Sequence, residues 1–200
     1  MNIITTNLPG VIVIEPKVYV DKRGFFLETF REDVLLQAGI NAHFVQDNHT
    51  RSSQGVLRGL HYQMTQTQGK LVRVAAGSVF DVVVDVRSGS PTFVQWYGTE
   101  LNEDNIKMIY VPPGFAHGFV VLSETADFIY KCTDYYHPES EQGIAWDDPD
   151  LNIDWSVAEI AEKISLSDKD KQNVKLKDQP AEKLPAYKDF MTEVEMRAES

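Results

Sequence analysis

Along most of this chain, apolar and polar residues alternate in short runs, and almost none of the runs keeps a helical period. Val11-Ile12-Val13-Ile14-Glu15 is rich in β-branched residues and stops at Pro16, which predicts a strand that resumes over Val18 to Val20. Asp21-Lys22-Arg23-Gly24 reads as a turn that feeds the apolar run Phe25 to Phe30. Val34, Leu35 and Ala38 then share one helical face within Arg31 to Ala38, ahead of Gly39, a suitable C-terminal cap. His43 to Thr50 begins as a strand and turns strongly polar while staying extended, Arg51 to Gly55 reads as a loop, and Val56 to Gln63 alternates again. Further strands are predicted over Lys70 to Ala76, Ser78 to Val86, Phe93 to Leu101, Lys107 to Val111, His117 to Leu122 and Phe128 to Thr133. Short strands at about 8–12-residue spacing, separated by Gly, Pro, Asn and Ser, predict an antiparallel sandwich or barrel. The pattern changes after Trp146-Asp147-Asp148-Pro149: Val157 to Ile164 reads as a helix, Lys169 to Lys177 as a charged exposed segment, and the chain from about residue 186, above all from Met191, as a mobile tail. The expectation is one all-β domain over 1–200 with a few short peripheral helices.

Composition narrows the partners. A chain of 200 residues with 42% hydrophobic content buries a proper core. Its net charge of -11 and pI near 4.8 argue against a nucleic-acid backbone or an anionic membrane as partner. No apolar run approaches the roughly 20 residues that span a bilayer, and Met1 to Gly10 has no signal-peptide pattern, so a cytoplasmic location is expected. The single cysteine, Cys132, lies in a strand-like run and reads as a small buried hydrophobe.

Two histidines at strand ends, His61 and His117, first raise a metal site, because imidazole is the commonest nitrogen ligand. Pro112-x-Gly114-x-x-His117 resembles the second motif of the cupins, double-sheet jelly rolls whose metal-binding members add a His-x-His pair and a glutamate. Here His61-x-Gln63 replaces that pair, and Lys70 stands where the glutamate would be. An ammonium repels a divalent cation, so a cupin without a metal is expected. A histidine and a lysine in such a pocket suit proton transfer beside a carbonyl: His61 as base, Lys70 on the resulting enolate. Returning the proton to the opposite face needs a second acid. Tyr130 reads either as that acid or as a core tyrosine with a bonded hydroxyl.

The motifs resemble the dTDP-4-dehydrorhamnose 3,5-epimerase family. The likeness runs through Asp21-Lys-Arg-Gly-Phe-Phe, Phe44-Val-Gln-Asp-Asn, Val56-Leu-Arg-Gly-Leu-His-Tyr-Gln, Gly69-Lys-Leu-Val-Arg-Val, Gly114-Phe-Ala-His-Gly-Phe and Gly143-Ile-Ala-Trp-Asp-Asp-Pro. The resemblance implies a cofactor-free, metal-free jelly-roll homodimer that epimerises C3 and C5 of dTDP-4-dehydro-6-deoxy-D-glucose. It implies His61 as base, Tyr130 as acid, Lys70 as enolate stabiliser and Asp170, within Leu166-Ser167-Asp168-Lys169-Asp170, as the partner of His61, with Asp168 the competing assignment. It also implies substrate contacts from Arg23, Glu28, Gln46, Asp47, Asn48, Arg58, His117, Glu141 and Lys169, and stacking of Tyr136 on thymine, with Tyr135 on the opposite strand face. Read without it, the 166–170 stretch is a solvated charge run.

Strict alternation puts Arg58 and His61 on opposite faces of their strand, while the resemblance asks both to reach one substrate. Gly59 is therefore predicted to interrupt the alternation as a bulge. Competing readings are a single-site epimerase of a related modified sugar, an inactive sugar-nucleotide-binding module, and a metal-dependent cupin.

Overall fold

The structure is a computed structural model and describes residues 1–157, 160–191 and 196. Its strands are β1 (Asn2–Thr5), β2 (Ile12–Glu15), β3 (Val18–Asp21), β4 (Gly24–Leu27), β5 (Gln46–Ser53), β6 (Leu57–Gln63), β7 (Lys70–Ala76), β8 (Ser78–Asp85), β9 (Trp96–Asn102), β10 (Met108–Val111), β11 (Phe115–Val121), β12 (Thr125–Cys132) and β13 (Glu141–Gly143). The short helix α1 (Glu32–Gln37) ends against Gly39 at φ +84°. The strands form a six-stranded sheet, β1-β2-β10-β7-β12-β5, a five-stranded sheet, β13-β6-β11-β8-β9, and a separate β3-β4 hairpin, with every pairing antiparallel.

Period-2 alternation decides what lies between the sheets. On β7, Val72 and Val74 point inward; on β8, Val79 and Val83; on β12, Ala126 and Phe128. Phe119 and Phe128, one from each sheet, stack at 3.8 Å between ring centres. Each such buried ring contributes about 1.5–3 kcal/mol by leaving water. The outer face of the five-stranded sheet, with Leu60, Val82 and Val84, is covered by the C-terminal segment through Trp155 and Leu176.

Several expectations need correcting. β5 runs on through Ser53, because Arg51 pairs in register with Asp127 on β12 and its guanidinium grips that carboxylate at 2.7 and 2.6 Å. A stretch too polar for a free strand is thus held by its neighbour. β1 and β13 had not been anticipated. The helix expected over Val157 to Ile164 lies partly outside the described residues, and Ala161–Lys163 forms a single 3-10 turn. The expected exposed charge run folds instead into 3-10 turns at Asp170–Gln172 and Leu176–Asp178, with Asp170 and Leu176 buried. Tyr135 sits in a loop.

Residues 186–190, expected within a mobile tail, are docked. Tyr187 N donates to Ser88 O at 3.0 Å, and the buried Arg87 donates to Phe190 O at 2.9 Å while its guanidinium covers the Tyr187 ring. Beyond Met191 only Met196 is among the described residues.

Candidate active site

The bulge at Gly59 forms the first wall of the site. His117 pairs with His61, but Phe119 pairs with Arg58, so β6 spends one residue more than β11 between those rungs. Gly59 takes the extra place at φ +120°, where a Cβ would come 2.5 Å from Gly118 Cα. Only glycine fits there. Leu57, Leu60 and Tyr62 consequently share the outer core, while Arg58 and His61 both line one cavity of about 590 Å3.

The cavity opens between the two sheets. Arg58, His61, His117 and Phe119 come from the five-stranded wall; Gln46, Asn48, Lys70, Phe128 and Tyr130 come from the six-stranded wall. Tyr136, Glu141, Lys169 and Asp170 line it from the loops and from β13. His61 and Tyr130 therefore stand on facing sheets.

His61 Nε2 lies 2.5 Å from Asp170 Oδ1. Burial works to raise the Asp170 carboxyl, but the His61 imidazole, Ser167 and the Gly59 backbone together outweigh it and hold it below the usual carboxylate range. An ionised Asp170 fixes Nε2 as the protonated nitrogen and leaves Nδ1 as the basic one. Asp168 pairs instead with Lys171 at 3.0 Å, which decides between the two aspartates. The Nδ1 side faces Glu141 at 3.9 Å. Glu141 also accepts from the Tyr136 hydroxyl at 3.1 Å and pairs with Lys169.

Across the cavity, burial pushes the Tyr130 phenol up, further raised by Cys132 and Tyr136 and opposed by Arg58. The hydroxyl keeps its proton, as an acid must. Burial lowers the Lys70 ammonium, against the opposing pull of Cys132 and Asp81. Lys70 has no hydrogen-bond or ion-pair partner among the described residues, and Arg58, bonded to the Ser52 hydroxyl at 3.3 Å, has no carboxylate partner among them. Two basic side chains with no carboxylate bonded to them, in a chain of net charge -11, make this cavity a place for an anion.

Other expected site residues lie elsewhere. Asp47 points away from the cavity, because Gln46 and Asn48 face it and the strand alternates; its carboxylate binds Lys131 at 2.9 Å. Arg23 and Glu28 are also outside. The Arg23 side chain is 83% exposed at the β3-β4 turn and pairs with Asp21, while Glu28 pairs with Arg31 at 3.6 Å. His117 does line the cavity, but its Nε2 is engaged by Asp81 at 2.9 and 3.0 Å. Sequence reasoning missed Asp81. The available signal was an acid in the inward register of β8, shared with Val79 and Val83. Gln63 is committed elsewhere: its amide nitrogen donates to Gln66 O at 2.7 Å and its oxygen accepts from His137 N at 3.1 Å.

The fold is a double-sheet jelly roll of the cupin type, and its cavity sets a histidine–aspartate pair opposite a protonated tyrosine and a lysine, groups able to exchange protons. Comparison with known proteins makes the assignment specific. The sequence profile of dTDP-4-dehydrorhamnose 3,5-epimerase matches residues 5–178, and the chain belongs to that family. A Pseudomonas aeruginosa dTDP-4-dehydrorhamnose 3,5-epimerase is 54% identical over 166 residues, which cover 82% of this chain and 90% of the relative. A Legionella pneumophila dTDP-6-deoxy-D-glucose-3,5-epimerase, solved with dTDP-4-keto-L-rhamnose, superposes with TM-score 0.90 at 56% identity, covering 93% of this chain and 98% of that one. A 3'-monoepimerase from Streptomyces bikiniensis, solved with dTDP-quinovose, superposes with TM-score 0.83 at 33% identity, covering 92% of this chain and 93% of that one.

Proposed function

We infer that this chain is a dTDP-4-dehydrorhamnose 3,5-epimerase, an isomerase that inverts C3 and C5 of dTDP-4-dehydro-6-deoxy-D-glucose. The observation that carries the reading is His61, backed by Asp170 at 2.5 Å, facing Tyr130 across one cavity. The C4 ketone makes the protons on both neighbouring carbons acidic. His61 Nδ1 takes the proton from one face, the C–H electrons form the enolate, and Lys70 stabilises the charge on its oxygen. Tyr130 returns a proton to the same carbon from the other face, which inverts it. The imidazolium formed is stabilised by Asp170. Arg58 takes the diphosphate by charge and fork geometry, Lys169 is a further substrate contact, and Tyr136 stacks on the base.

The reading includes a homodimer. Tyr19, Val20, Phe25 and Phe26 on the β3-β4 hairpin are all about half exposed or more, and the hairpin joins neither sheet of its own chain. Seated on a second copy, it covers those side chains and delivers Arg23 and Glu28 to the neighbouring cavity. A monomer by analytical ultracentrifugation at assay concentration would exclude this arrangement. A cytoplasmic location goes with a nucleotide-activated substrate.

Turnover of the substrate in D2O, followed by NMR, tests the activity. Deuterium is expected at both C3 and C5; none at either carbon defeats the epimerase reading, and deuterium at C3 alone assigns a monoepimerase.

A further inference from the structure

The short strand β13 lies between β6, which carries His61, and the segment that carries Asp170. Gly143 is the ladder partner of His61. The next residue, Ile144, exchanges backbone hydrogen bonds with Leu60 at 3.0 and 3.3 Å and bridges Val174 on its other side, where Ala145 N donates to Val174 O at 2.8 Å. Asn173, just before that bridge, lays its carboxamide on the Gly143 backbone. A Cβ built on Gly143 would come 2.1 Å from Asn173 Oδ1, 2.4 Å from Cγ and 2.6 Å from Nδ2. Asn173 in turn closes the 3-10 turn of Asp170, donating its N–H to Asp170 O at 3.2 Å.

Gly143 does not take a positive φ, so its backbone conformation is open to any residue. What the position requires is space. The Asn173 Nδ2 is buried without a hydrogen-bond partner among the described residues, so the amide is held in place by packing.

We propose that Gly143 is a positioning residue for the His61–Asp170 pair: its missing Cβ sets how closely Asn173, and with it Asp170, seats against the strand of His61. This rests on the reading of His61 as the base. A methyl group at position 143 pushes the Asp170 turn outward and stretches the contact between Nε2 and Oδ1.

The test uses Gly143→Ala, Asn173→Ala and the double variant, since truncating Asn173 removes the three nearest atoms that the new methyl would meet. Displacement of a catalytic group by about 1 Å lowers rate up to about 100-fold, so Gly143→Ala is expected to lower kcat about 10- to 100-fold with little change in KM. Its low-field 1H NMR resonance, from the proton shared between His61 and Asp170, should move upfield. Asn173→Ala alone should stay near the parent, and the double variant should recover both kcat and the resonance. Parent-like kcat and an unmoved resonance in Gly143→Ala would overturn the proposal, as would a double variant no better than Gly143→Ala. The resonance reads the geometry even if the sugar assignment fails, so the two failures are distinguishable.

Discussion

His117 and Asp81 sit on adjacent strands of one sheet, both inside it, whereas His61 sits on that sheet and receives its carboxylate from a loop 109 residues further along. The first pair is 7% and 0% exposed at its side chains; in the second, the His61 side chain is 24% exposed. Ladder hydrogen bonds fix the first pair wherever the sheet forms. The second depends on how the C-terminal segment is fastened, through Ser167 and β13. A proton carrier must take up and release protons repeatedly, and the half-open pair suits that. A sealed pair suits holding one imidazole in one orientation as part of the cavity wall.

The sharpest way to break this comparison is to neutralise each carboxylate by an isosteric change. Asp170→Asn should lower kcat about 1,000- to 10,000-fold with KM little changed, as expected when a base loses the carboxylate that fixes its tautomer. Asp81→Asn should lower kcat/KM only about tenfold yet cost about 1–3 kcal/mol of stability by urea unfolding, because a buried charged hydrogen bond is weakened. Equal kinetic losses, or a larger stability loss in Asp170→Asn, would erase the distinction between a carrier and a wall.

The two pairs also differ in how far the sequence announced them. Periodicity located the sheets well: Lys70 to Ala76 was read with the bounds that β7 shows, and the need to bring Arg58 and His61 to one side pointed to Gly59. The inward lysine and tyrosine follow from the same alternation. Asp170 is different, because a buried carboxylate within Ser167-Asp168-Lys169-Asp170-Lys171 is indistinguishable by composition from a solvated charge run, and only the family motif singled it out. Asp81 was legible in principle as an acid on a valine face. Asp47 errs the other way: the motif Gln46-Asp47-Asn48 implies three substrate contacts, but alternation sends its middle residue outward. Arg23 lies at the turn, and Glu28 just after the end, of a hairpin that joins neither sheet of the chain.

Lys70 supplies the finest discrimination, since the charge of Asp81 reaches it and burial governs it. Burial favours the neutral amine, so the folded lysine gives up its proton below the ordinary value of about 10.4. Between that lowered value and about 10.4 the unfolded chain binds more protons than the folded one, and stability from this group rises with pH. Activity runs the other way, because the enolate needs the ammonium. An alkaline loss of kcat/KM is therefore expected below pH ~10.4, and it belongs to Lys70 rather than to Tyr130, whose phenol burial pushes upward. Lys70→Arg, charged throughout, should retain a reduced kcat while moving that loss to higher pH. Asp81→Asn removes a charge that props up the ammonium and should shift the loss to lower pH; Asp170→Asn should leave it in place. An unmoved alkaline limb in Lys70→Arg would assign it to another group, and equal shifts from the two aspartates would remove the electrostatic side of the comparison.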